Sequence, residues 1–221
     1  MFHNDNERDY FLRTGYSTLT QDQQENRFQF PPVLLDNFCR LRDEFPNARA
    51  HEIHAHLHQE QARQEKCHQE MSMLQTVVEF QSHLHQRLAA LRQRLLWPGH
   101  QGESTAVDPL EQIVVLLNRN RLLQRYTPPD PNDPNPGVLA ERAEIFKIAK
   151  LSWHDALVTY TRACERMNRV RGAVDSIGCQ MEAVLRSMLW EQNPDSMYHH
   201  LARYGFPNRL HAPLRICPER V

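Results

Sequence analysis

The sequence predicts an all-α protein: an elongated helical bundle or coiled coil with two long helices, a shorter middle helix and flexible termini. Three observations predict it. Only 7 glycines are present, and the 14 prolines leave long stretches uninterrupted. Apolar residues recur in alternating steps of three and four along two of those stretches. The chain is 40 % hydrophobic with a mean hydropathy of −0.67, low for a compact single core and suited to narrow buried seams.

Residues 1–32 are polar, with Tyr10, Phe11, Tyr16, Phe28 and Phe30 scattered through them and no sustained period. They predict a flexible N-terminal arm. Residues 33–97 predict a short helix and a long one. In VLLDNFCRLRD, Leu34, Phe38 and Leu41 share a face, and Pro46 is expected to end that first helix. From about residue 48 to Trp97 there is neither Pro nor Gly, and strong helix formers dominate. Leu74, Val77, Gln81, Leu84, Leu88, Leu91 and Leu95 form its heptad stripe, and Pro98-Gly99 stops it.

Residues 98–126 read as a linker followed by the most apolar helix, which opens at Asp108-Pro109, a capping residue before a proline. Residues 127–137, TPPDPNDPNPG, predict a stiff non-helical connection. Residues 138–191 carry the longest pattern. Phe146, Ala149, Trp153, Ala156, Tyr160, Ala163, Met167, Val170, Val174, Ile177, Met181, Val184 and Met188 step three and four without a slip, and none is charged. Gly172 and Gly178 fall off that seam. Packing against another helix, rather than intrinsic propensity, is therefore expected to hold this segment. Residues 192–221 predict a short helix capped by Gly205, then an extended tail.

Each long helix is roughly 75–80 Å at 1.5 Å per residue. Their seams fit pairing within the chain or with a protein partner. The mixture of Ala, Met, Trp and Tyr favours an internal or hetero-oligomeric arrangement over a homodimeric zipper. The expected partner-binding seam comprises Phe146, Trp153, Tyr160, Met167, Val170, Val174, Ile177, Met181, Val184 and Met188, with Leu84, Leu88, Leu91 and Leu95.

Chemistry has few footholds. Five cysteines, an odd number at wide spacings without a CxxC pair, predict reduced thiols and an intracellular protein of cytoplasm or nucleus. No apolar leader or membrane span is legible. The net charge of −1 provides no field for nucleic acid. Arg162, Arg166 and Arg169 share one face of the kind that meets phosphates, which keeps a nucleic-acid-associated helical factor as a further alternative, but Asp155 and Glu165 interrupt it. His51, His54, His56 and His58 cluster, and His54 and His58 stand at i, i+4, yet the face lacks further ligands and an HExxH motif. Cys164 and His154 lie too far apart on one helix to form a dyad. No metal, no cofactor and no catalytic residues are assigned, and a non-enzymatic adaptor or complex subunit is expected.

Residues 34–57, LLDNFCRLRDEFPNARAHEIHAHL, resemble the first two helices of CUE-type ubiquitin-binding domains, in the placing of Leu41, Phe45, Pro46, Ile53 and Leu57. The resemblance implies that Phe45 and Pro46 touch ubiquitin and that Ile53 and Leu57 face inward.

Overall fold

The structure, a computed structural model, describes residues 2–25, 27, 30–95, 109–126, 133–188 and 194–207. Among them are five helices and no strand: α1 (Asp5–Gln24), α2 (Pro32–Leu95), α3 (Pro109–Gln124), α4 (Pro136–Met188) and α5 (Pro194–Arg203). The all-helical class with two long helices is thus what the chain adopts. The chain divides into two compact units, Met1–His56 with Thr159–Val221, and Leu57–Val158. α2 and α4 contribute a stretch to each unit and pack together in both.

In the first unit α1 is the main departure from expectation. Residues 5–24, predicted as part of a flexible arm, form a helix with a reciprocal cap. The Asn4 side chain accepts from the Glu7 N–H at 2.9 Å, and the Glu7 carboxylate accepts from the His3 N–H at 2.8 Å. Its buried edge is Phe11, Leu12, Gly15, Thr18, Leu19 and Asp22. A glycine, a threonine and an aspartate occupy core positions there, so no apolar period appears in the sequence. Gly15 permits close approach: a Cβ at that position would stand 2.9 Å from Phe38 Cζ and 3.2 Å from the Tyr204 carbonyl oxygen.

The predicted break at Pro46 is also corrected, because α2 runs through it. Proline removes one helical hydrogen bond at a cost of about 3 kcal/mol. Against that, Phe38, Leu41, Phe45 and Ala48 are all buried on the inner edge. Burying each large side chain contributes about 1.5–3 kcal/mol, so the helix persists. The Asn47 side chain also donates to the Asp43 carbonyl at 2.8 Å, supplying a local donor beside the proline. Residues Met167 through Leu185 of α4, together with Leu201, Tyr204 and Phe206, complete this core.

In the second unit Ile113, Leu116 and Leu123 of α3 pack with Met73, Val77, Phe80 and Leu84 of α2 and with Leu139 and Phe146 of α4. α4 begins at Pro136 behind Asn135, whose side chain accepts from the Gly137 N–H at 2.8 Å. The linker at 98–107, the predicted cap Asp108, residues 127–132 and the tail from 208 onward lie outside the described residues.

Candidate interaction surfaces

The seam of α4 holds its predicted register from Phe146 to Met181. Phe146, Ala149, Ala156, Ala163, Met167, Val170, Val174, Ile177 and Met181 are buried. Trp153 and Tyr160 are half-buried, and the Lys66 ammonium sits 4.9 Å over the Trp153 ring. The last heptad is corrected: Leu185 is 0 % exposed, Val184 is only partly buried, and Met188 is 37 % exposed. An α-helix drifts about 20° per heptad from a strict seven-residue repeat, which carries the inner edge from Val184 toward Leu185. On α2 the register is corrected in the opposite direction. Val77 and Leu84 are buried as predicted, but Met73 and Phe80 share the inner edge, whereas Leu74 is exposed. Leu88 packs at the margin of this core. The side chains of Leu91 and Leu95 lie outside the described residues. The seam assigned to a protein partner is therefore occupied, where described, by helices of the same chain.

Charged groups tie the helices at the edges of these cores. Arg171 of α4 donates to Asp5 of α1 and to Glu52 of α2, with Nη2 at 2.7 Å from each carboxylate. Arg8 of α1 pairs with Asp175 of α4 at 2.8 Å. The hydrogen bond from Arg171 holds the Asp5 carboxyl below its usual 3.8. Between α1 and α5, the buried carboxylate of Asp22 accepts from the Tyr204 hydroxyl and, at 2.9 Å, from Arg203. Burial, and then the Asp22 carboxylate, push the Tyr204 hydroxyl well above 10.0. In the second unit Asp133 is held by Arg87 and by His83, the latter at 2.6 Å.

Phe45 is 0 % exposed and belongs to the core of the first unit. Pro46 beside it is exposed, and Ile53 and Leu57, inward-facing by the resemblance, stand in solvent. His51, His54, His56 and His58 are exposed, and the His56 ring packs 5.2 Å from that of Tyr160. A hydrogen bond with the Cys164 side chain raises the Tyr160 hydroxyl above its ordinary value. Among the described residues no group of three or more His, Cys, Asp or Glu side chains is placed to hold a metal ion. Arg162, Arg166 and Arg169 are exposed, with Glu44 3.9 Å from Arg166. Among the described residues, no helix is long and apolar enough to cross a membrane.

The second unit keeps apolar side chains on its outer surfaces. On α4, Ile148 and Leu151 are 65 % and 58 % exposed, and Val158 continues the same stripe. On α2, Met71, Leu74 and Val78 are exposed at i, i+3 and i+7. Sequence reasoning missed both stripes, because the stronger inner seams on the same helices account for the apolar pattern first. No family model, curated protein or solved structure matches the chain.

Proposed function

We propose that this chain is a non-enzymatic helical adaptor or structural subunit of a multi-protein assembly. The observation that carries the reading is the outer stripe of α4 in the second unit, Ile148, Leu151 and Val158. Large aliphatic side chains at i, i+3 and i+10 on a solvated helix form the edge that another protein's helix covers. The inner seams, where described, are covered within the chain, so association falls to the outer faces. The free cysteines, with Cys67 exposed, support residence in a reducing compartment.

The test is affinity purification of the tagged full chain from its native source, beside a chain carrying Ile148→Glu and Leu151→Glu. The reading expects a stoichiometric protein partner with the natural chain and its loss with the variant at unchanged helical content. A chain that purifies alone, or partners indifferent to both substitutions, would overturn it.

A further inference from the structure

In the second unit α3 interrupts its own apolar edge. Ile113, Leu116, Asn120 and Leu123 follow one another in steps of three and four, and all four are buried. A leucine in place of Asn120 would continue the core. Asn120 is 6 % exposed, and its side chain has no hydrogen-bond partner among the described residues. Burying an amide in this way removes its hydration and puts nothing in its place. An asparagine that fixes the register of packed helices is itself hydrogen-bonded, so register does not account for this one.

Asn120 lines a cavity of about 280 Å³ between α3 and the start of α4. The α3 wall is one helical face, Leu117, Asn120, Arg121 and Gln124, at i, i+3, i+4 and i+7. The opposite wall is Pro136, Gly137 and Ala140 of α4. We propose that this cavity binds a carboxylate carried on a short aliphatic group. Arg121 supplies the charge, and its planar fork matches the two oxygens of a carboxylate. No acidic side chain lines the cavity, and Arg121 has no ion-pair partner among the described residues. Asn120 and Gln124 add amide donors. The N-terminus of α4, a helix of 53 residues, adds its positive pole. Asn135 already accepts from the Gly137 N–H at 2.8 Å, so that helix end contributes its field rather than a free donor. Leu117, Pro136 and Ala140 offer apolar surface to the aliphatic part. A single arginine balances one negative charge, which favours a carboxylate over a phosphate dianion. The volume lies just under the about 300 Å³ at which small-molecule sites begin, which suits a group the size of one leucine residue.

Two sources carry that chemistry: a free short-chain acid, and the C-terminal residue of a peptide. The cavity shares no residue with the outer stripe of α4, so it goes beyond the adaptor reading and fails separately from it. The test is an NMR titration of the full isotope-labelled chain with isovalerate and, separately, with an acetylated tripeptide ending in leucine. Saturable shifts at residues 117–124 are expected, with a dissociation constant of roughly 1 mM or tighter. Response to isovalerate alone assigns a free acid, response to the peptide alone assigns a chain terminus, and either supports the site. The same peptide with its carboxylate amidated should bind at least roughly 10-fold more weakly. Arg121→Gln, at an exposed position, should weaken binding roughly 10- to 100-fold with helical content unchanged. Asn120→Leu should abolish binding while the melting temperature holds or rises, because an unpartnered amide leaves the core. No saturable shift from either probe up to roughly 10 mM would overturn the proposal. So would an amidated peptide or inorganic phosphate that binds as tightly as the acid. A lowered melting temperature for Asn120→Leu would also overturn it, since the amide would then be satisfied in the free protein.

Discussion

Arg171 grips Asp5 through two parallel hydrogen bonds, Nε to Oδ1 at 2.9 Å and Nη2 to Oδ2 at 2.7 Å. The fork geometry of the guanidinium matches the carboxylate, and charge assistance makes such pairs stronger than neutral ones. Asp5 also lies in the first turn of α1, where negative charge is favoured. One contact therefore fastens α1 to α4.

The first prediction follows from that pair. Asp5 has a side chain only 19 % exposed, so solvent screens the interaction incompletely. Asp5→Asn should destabilise the protein by about 1–2 kcal/mol at pH 7. The Asp5 pKa is lowered by folding, so the native state favours the ionised form more than the unfolded chain does. Its contribution is present above the unfolded value of 3.8 and is lost as pH falls through the folded one. Urea unfolding of both chains should show the difference at pH 7 and its disappearance in strong acid.

Tyr204 and Asp22 titrate in the opposite direction. The Tyr204 hydroxyl is raised by folding, chiefly through burial and then through its bond to Asp22. Its contribution is therefore present below 10.0 and lost as pH rises through the folded value. Tyr204→Phe removes a donor from a fully buried carboxylate and should cost about 1–3 kcal/mol at pH 7. The natural chain should lose stability above about pH 10, and the variant should lack that component. Equal alkaline curves for the two chains would remove Tyr204 from the account.

Two glycines should respond with opposite signs to the same substitution. Gly205 has φ +80°, and a Cβ there would lie 2.9 Å from Phe11 Cα, a backbone atom. Gly205→Ala should cost at least about 1–2 kcal/mol from the left-handed conformation, with the clash added. Gly172 sits inside α4, and a Cβ added there would meet nothing within 4 Å, so Gly172→Ala should stabilise by about 1 kcal/mol. Thermal unfolding of the two variants beside the natural chain decides both signs.

The stretches where core positions are apolar were legible. The inner edge of α4 from Phe146 to Met181 is visible because the positions that enter the cores are uncharged and evenly spaced. α1 was not legible, because Gly15, Thr18 and Asp22 occupy its buried edge for close approach and hydrogen bonding rather than for hydropathy. The end of α4 was misplaced because a strict heptad ignores helical drift. The outer stripes were overlooked for a related reason: apolar residues on a helix with one strong seam are credited to that seam, as Leu74 was, although Leu74 is exposed.

Pro46 provides the last prediction. Its missing N–H leaves the Arg42 carbonyl without the usual partner four residues on, and the ring crowds that carbonyl. The Pro46 side chain is exposed, whereas Phe45 and Ala48 beside it are buried. Nothing that packs is therefore lost on replacement. Pro46→Ala restores the helical bond and should stabilise the protein by about 1–3 kcal/mol, less the about 0.4–1 kcal/mol by which proline restricts the unfolded chain. Denaturant unfolding at pH 7 should show a raised midpoint with an unchanged slope. A lowered midpoint would mean that the first unit depends on a deformation of α2 at Pro46, and that its aromatic core is arranged around that deformation.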